Sequence, residues 1–222
     1  MASRSATHGR VLATAILLAA ATMTIAAPPP DAGWRAYQKR DYPAAMAAFE
    51  KRARDGDRLA QFNLAMMLMR GEAVATDVAG GLAWLQRAAD AGLAQAQYNL
   101  GLMYENGVGV ARSLTAATQW WSKAAEQGHA DAQMQLATQY FLGRGAPKDW
   151  KLAAKWYEAA AESGDPGAQY IIGSFYEHGD GVAQDLSKAL AWYVLAARQG
   201  DVGAAAQAKD IARRLSSAPR AP

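Results

Sequence analysis

The sequence predicts an all-α protein, a solenoid of stacked helical hairpins. Three observations predict it: a 36-residue period, helical spacing of apolar residues within each period, and glycine or capping residues where helices should end. Three columns carry the period: Trp84, Trp120, Trp156, Trp192; Gly56, Gly92, Gly128, Gly164, Gly200; and Ala60, Ala96, Ala132, Ala168, Ala204. Repeats of this length indicate a solenoid or a propeller, and alanine-rich units without β-branched runs favour helices.

Each period predicts two helices, as the second one illustrates. Ala96 and Leu100 lie one helical turn apart, on the same face of a first helix. Gly107 should end that helix, because glycine adopts the left-handed cap conformation at little cost. Ser113 is a good N-cap for a second helix, and Gly128 should close it.

The recurrent tryptophans and closing glycines are predicted to be structural. A tryptophan in each second helix could bury about 200 Å² against its neighbours, so we expect this column to be core. The predicted structural residues are Trp84, Trp120, Trp156, Trp192, Gly92, Gly128, Gly164 and Gly200.

The N-terminus predicts export. Arg4 and Arg10 precede an uncharged apolar run over residues 11–26, and small residues and prolines follow. This is the three-part pattern of a secretory signal peptide, so residues 1–26 are predicted to be cleaved and 27–32 to form a linker. The mature chain should be periplasmic or secreted and not inserted in the membrane. The alternative is a retained N-terminal membrane anchor, since the run is just long enough to span.

Composition narrows the function classes. The chain has 222 residues, 51% hydrophobic and 19% charged, and no cysteine, which excludes disulfides, thiolate zinc sites and cysteine nucleophiles. Without residues 1–27, which hold two arginines and no acid, 21 basic and 20 acidic residues remain. This balance gives no support for a nucleic-acid partner.

No arrangement of residues predicts catalysis. The Gly-Val-Gly run at 107–109 and its counterparts do not complete a dinucleotide-binding motif, and they recur with the period as loops. Glu105 and Glu177 share a column but lie two repeats apart, too far for a glycosidase pair. We therefore expect no enzyme activity, no catalytic residues, no metal site and no cofactor.

The second period carries a family resemblance. AQAQYNLGLMYENGVGVARSLTAATQWWSKAAEQGHADAQ resembles a Sel1-like repeat, a relative of the tetratricopeptide repeat, and the similarity covers residues 57–201 as four units. It implies a right-handed α/α solenoid. Residues 33–56 resemble a tetratricopeptide-like hairpin, 202–215 read as a capping helix, and 216–222 are predicted to be a disordered tail. The first unit departs from the pattern, with Ala73 in place of the second loop glycine.

The resemblance also implies a binding groove, because first helices line the concave face of related solenoids. The groove positions are those outside the core columns: Phe62, Met66, Met69, Tyr98, Leu102, Glu105, Met134, Thr138, Phe141, Tyr170, Ser174 and Glu177. Aromatic and methionine side chains are favoured at adaptable interfaces. The alternative is that these side chains simply pack between neighbouring first helices.

The predicted function is a non-enzymatic protein–protein interaction module of the bacterial cell envelope: an adaptor, scaffold or regulator. A monomer would bind a segment of an envelope or secreted protein in its groove, with Glu105 and Glu177 favouring a basic segment. The alternative is a structural or glycan-binding component of cell-wall or exopolysaccharide machinery. A hydrolase is a third class, which the missing catalytic residues disfavour.

Overall fold

The computed structural model describes residues 32–217, and within this range the chain forms eleven helices and no strand. The predicted signal peptide, most of the predicted linker and residues 218–222 lie outside the described residues. The helices are α1 Ala32–Gln38, α2 Tyr42–Arg54, α3 Arg58–Arg70, α4 Val78–Asp90, α5 Ala94–Asn106, α6 Leu114–Glu126, α7 Ala130–Leu142, α8 Trp150–Glu162, α9 Pro166–His178, α10 Leu186–Arg198 and α11 Val202–Ser217. The all-α solenoid class is thereby confirmed.

The chain divides after Ala88 into two compact units. Unit 1 contains α1 to α3 and most of α4. Its core lies between α2 and α3, where Phe49 of α2 and Leu64 and Met67 of α3 are fully or almost fully buried. Trp34 of α1 and Trp84 of α4 pack against this core. Unit 1 is thus two helical hairpins around one apolar cluster.

Unit 2 contains the hairpins α5/α6, α7/α8 and α9/α10, followed by α11. Glycine on the first helix of a hairpin lets the second helix approach closely. A Cβ at Gly101 would overlap the indole of Trp121, and one at Gly173 would lie 3.1 Å from the ring of Tyr193. Each contact therefore joins a small residue on one helix to a large aromatic residue on the other.

The fully buried large side chain of each second helix follows the recurrent tryptophan by one position. Its exposed fraction is 0% for Leu85 and Trp121, 4% for Tyr157 and 1% for Tyr193. The tryptophans at 84, 120, 156 and 192 are only partly buried, so they flank the core and do not lie inside it; that they are structural stays a prediction. A one-residue step rotates a side chain by 100° about the helix axis.

The recurrent tryptophans instead lie at the margin of the core. Trp156 packs against the cluster that α6 and α7 form. Basic side chains cover the outer faces of these rings, with the Lys123 Nζ 3.8 Å from the centre of Trp120 and the Lys155 Nζ 4.8 Å from that of Trp156. Such cation–π contacts suit an aromatic ring that is half in solvent.

A buried glutamine recurs on the first helix of each hairpin of unit 2. The Nε2 atoms of Gln97, Gln133 and Gln169 donate to backbone carbonyl oxygens eight residues earlier, at 3.0 to 3.3 Å. A second glutamine, 30 residues further on, donates to the Oε1 of Gln97 (from Gln127, 2.7 Å) and of Gln169 (from Gln199, 2.9 Å). Within residues 32–217, the Oε1 of Gln133 has no hydrogen-bond partner.

The first repeat keeps the loop conformation of the other repeats, although alanine replaces its second loop glycine. Ala73 adopts a φ of 72°, beside 69° to 73° at the equivalent glycines 109, 145 and 181. Alanine in this left-handed region costs free energy that glycine avoids. The departure at Ala73 therefore changes the strain of the loop and not its conformation.

Candidate functional site

The first helices of unit 2 carry side chains that are neither buried nor fully exposed. On α5, Tyr98, Leu102 and Glu105 lie at i, i+4 and i+7, along one face of the helix. We define the first-helix strip as these residues and their partly buried counterparts on α7 and α9: Met134, Thr138, Phe141, Tyr170 and Ser174.

The predicted groove positions of unit 1 do not form an open surface. Phe62 is 0% exposed and Met66 is 1% exposed, whereas Met69 is partly buried. Every residue of α3 from 60 to 67 is buried, so this helix has no free side over two turns. The prediction that Phe62 and Met66 line a groove is therefore wrong.

Glu177 is also not available to a ligand. Its side chain is 8% exposed, and its carboxylate accepts a hydrogen bond from the hydroxyl of Tyr193 at 2.9 Å. Arg214 of α11 forms an ion pair with it at 2.6 Å. The prediction that Glu177 flanks a groove is corrected, because residues of the chain itself occupy both carboxylate oxygens.

One column of the strip, Tyr98, Met134 and Tyr170, lies close to the start of the helix two further along the chain. The Tyr98 ring stacks on the imidazole of His129, with ring centres 4.7 Å apart. A Cβ at Gly167 would lie 3.5 Å from the Met134 Cε, and one at Gly203 would lie 3.6 Å from Tyr170. Packing between neighbouring helices thus accounts for part of each side chain, and the remainder is exposed.

Phe141 is anchored in an aromatic cluster. Its ring centre lies 4.9 Å from that of Trp150 and 5.9 Å from that of Phe175. Lys148 extends over Trp150, with Nζ 4.7 Å from the ring centre. Thr138 also makes an internal hydrogen bond, with its Oγ1 3.1 Å from the hydroxyl oxygen of Tyr157. Tyr98 and Leu102 on α5 likewise pack against the core cluster of α6 and α7 on one side and are partly exposed on the other.

Acidic groups lie around Tyr98. Burial raises the pKa of its hydroxyl to about 12, and the carboxylates of Asp131 and Glu105 act in the same direction. Burial also raises the pKa of Glu105, while the charges of Arg144 and Arg112 lower it. Tyr98 therefore stays a neutral hydrogen-bonding group near neutral pH, in a locally negative field.

His129 caps α7 in its neutral form. The backbone N–H of Ala132 donates to the imidazole Nδ1 at 3.3 Å, so the proton resides on Nε2, 3.1 Å from the Gln95 Oε1. Burial lowers the pKa of His129, and Asp131 opposes that shift. The contact of His129 with Tyr98 joins two repeats and was not predicted from the sequence.

Across residues 32–217, no three His, Asp or Glu side chains are grouped so that they could hold a metal ion. No helix in the same range is long and apolar enough to cross a membrane.

Tandem hairpins of 13-residue helices, with the period carried by alanine, glycine and aromatic columns, define a helical-repeat protein of the tetratricopeptide-like superfamily. The Sel1 repeat model matches residues 58–93, 94–129, 130–165 and 166–201. The chain belongs to the Sel1 repeat family. Proteins of this family are generally interaction modules and generally not enzymes.

Solved structures agree with this assignment. A Sel1 repeat protein from Oxalobacter formigenes is 34% identical, with a TM-score of 0.77 over 86% of this chain and 79% of that one. The protective antigen c5321 of uropathogenic Escherichia coli is 36% identical, with a TM-score of 0.66. The match covers 72% of this chain but only 34% of c5321. Comparison with curated protein sequences gives no match.

Proposed function

We propose that this chain is an exported adaptor, scaffold or regulator that binds a segment of a partner protein along the first-helix strip of unit 2. The observation that carries the proposal is the partial exposure of a continuous apolar and aromatic face on α5, at Tyr98 and Leu102. A few central aromatic and apolar side chains dominate the affinity of most protein interfaces. Membership of the Sel1 repeat family supports the same class of function.

Export to the envelope is the second element of the proposal. Its support is the basic, apolar and small-residue pattern of residues 1–26. N-terminal sequencing of the protein purified from its native cells should begin at Ala27. An intact Met1 or Ala2 would contradict cleavage.

Site-specific photocrosslinking in cells tests the binding strip. A photoreactive amino acid replaces Leu102 on the strip or, as a matched control, Leu195, an α10 leucine that is 40% exposed. We expect a protein adduct of defined mass at position 102 and none at 195. Equal crosslinking at both positions would show that the strip is not a preferred surface.

The same adduct distinguishes the glycan alternative. A protein partner gives a species that protease treatment of the partner shortens and that mass spectrometry identifies by its peptides. An adduct that only glycosidases shorten would overturn the proposal in favour of glycan binding.

A further inference from the structure

The geometry points to Glu105 as a recognition residue that binds a basic side chain, lysine or arginine, of the partner segment. This inference rests on the proposed function, because it names the chemistry that the first-helix strip selects.

The first observation is a partly buried carboxylate without a direct ligand. Within residues 32–217, the Glu105 side chain takes part in no hydrogen bond and no ion pair. Arg112 lies nearby, but its Nε donates to the backbone carbonyl of Glu105 at 2.8 Å. Arg144 is exposed and acts on Glu105 only through its charge. A carboxylate that has lost water without gaining a donor is stabilised by an incoming charge-assisted hydrogen bond.

The second observation is that the chain already makes this contact once. Glu177 occupies the same column as Glu105, two repeats further on, and binds the Nη1 of Arg214 at 2.6 Å. Arg214 belongs to α11, a separate helix that follows the last hairpin. A carboxylate at this column can therefore accept a guanidinium from another helical element.

The third observation explains why Glu105 is open where Glu177 is closed. Tyr193 donates its hydroxyl to Glu177, but the equivalent residue beside Glu105 is Trp121. The indole N–H of Trp121 donates to the backbone carbonyl of Tyr98 at 3.2 Å and so does not serve Glu105. The aromatic packing is kept while the carboxylate is left for a ligand.

The Tyr98 ring also favours a bound cation beside Glu105. Tyr98 lies seven residues before Glu105 on the same partly exposed face of α5. An aromatic ring beside a bound cation adds a cation–π contribution.

The test uses the mature chain and a displayed library of random peptides of about 12 residues as the probe. Peptides selected on the wild-type protein should share an arginine or lysine at one fixed position. For a selected peptide, Glu105→Gln should weaken binding about tenfold or more, as should replacing the peptide's basic residue by glutamine. The two changes together should add little to either alone. Glu162→Gln, at an exposed glutamate of α8, is the matched control.

Thermal melts exclude misfolding as the cause, and Glu105→Arg gives a second readout, since it should select acidic peptides. Peptides that lose affinity in Leu102→Glu but show no Glu105-dependent basic preference would overturn this inference and leave the proposed function standing. Selection of no peptide by the wild-type protein would overturn both.

Discussion

The second and fourth repeats share one framework and differ at the end of the first helix. In both, a glycine on the first helix packs against an aromatic residue of the second, Gly101 on Trp121 and Gly173 on Tyr193. In both, a glutamine pair links the first helix of the hairpin to the residue that follows its second helix. At the end of the first helix, Glu177 is buried and paired, whereas within residues 32–217 the Glu105 side chain takes part in no hydrogen bond and no ion pair.

The position at the end of the first helix, Glu105 or Glu177, therefore has a different environment in the two repeats. The fourth repeat is followed by α11, whose Arg214 forms an ion pair with Glu177. Terminal repeats of solenoids need such an atypical element to cover their last face. The second repeat lies inside the array and has no such helix beside it in sequence, and we propose that the same carboxylate there binds a ligand.

The largest expected effect tests the shared framework. Trp121→Ala should lower the free energy of unfolding by roughly 3–5 kcal/mol, because it leaves a cavity against Gly101 in a fully buried site. Trp120→Ala should cost less than half as much, since that ring is partly exposed under Lys123. Urea denaturation of both variants measures the difference. Equal losses would contradict the assignment of the inner column as the core.

The next effect tests the closed end of the fourth repeat. Arg214→Met should lower the free energy of unfolding by roughly 1–3 kcal/mol, because it leaves the buried Glu177 carboxylate with Tyr193 alone. Arg112→Met beside Glu105 should have little effect, since that side chain is exposed. Adding Glu177→Gln to Arg214→Met should recover part of the loss. A loss as large in Arg112→Met would show that the two ends are equivalent.

Much of this architecture could be predicted from the sequence, because the period, the caps and the apolar spacing act locally and agree with one another. The core column was missed for a physical reason. The outer column is a tryptophan in all four repeats, and a basic side chain covers Trp120. The inner column changes its residue type from repeat to repeat, so that only its burial recurs: Leu85, Trp121, Tyr157 and Tyr193.

The site was predicted less completely. The α5 residues of the strip lie on one partly exposed face, as the family resemblance implied, but the predictions for three groove positions, Phe62, Met66 and Glu177, were wrong. The burial of Phe62 and the pairing of Glu177 with Arg214 depend on tertiary contacts. Arg214 lies 37 residues from Glu177 in a helix outside the four repeats. The repeat pattern therefore does not predict this contact.

A smaller effect tests the framework in the third repeat. Ser163 occupies the position equivalent to Gln127 and Gln199, and the Gln133 Oε1 that such a glutamine would serve has no partner. Ser163→Gln should supply the missing donor and raise the free energy of unfolding by about 0.5–1.5 kcal/mol. Ser163→Ala is the control and should bring no gain in urea denaturation. A neutral or destabilising Ser163→Gln would show that the glutamine pairs of the neighbouring repeats are not transferable.

The smallest effect concerns the caps that follow the two compared repeats. Asp201 caps α11 after the fourth repeat, accepting from the Ala204 N–H at 2.8 Å, whereas His129 caps α7 after the second. Protonation of the His129 Nδ1 would abolish its acceptor and place a positive charge at the positive end of the α7 dipole. The folded-state pKa of His129 is lowered by burial, against the opposing charge of Asp131.

The sign of the pH response follows from that direction. Because the unfolded chain binds the proton more readily, the contribution of His129 is fully present above the ordinary histidine pKa of about 6.5 and is lost as the pH falls through the lowered folded-state pKa. Relative to His129→Asp, the wild-type protein should therefore lose up to about 1 kcal/mol of stability between about pH 7.5 and about pH 5. Urea denaturation at both pH values measures this difference, and His178→Asn, at an exposed histidine of α9, should not change it. A difference between wild type and His129→Asp that is the same at both pH values would show that His129 does not cap α7 in its neutral form.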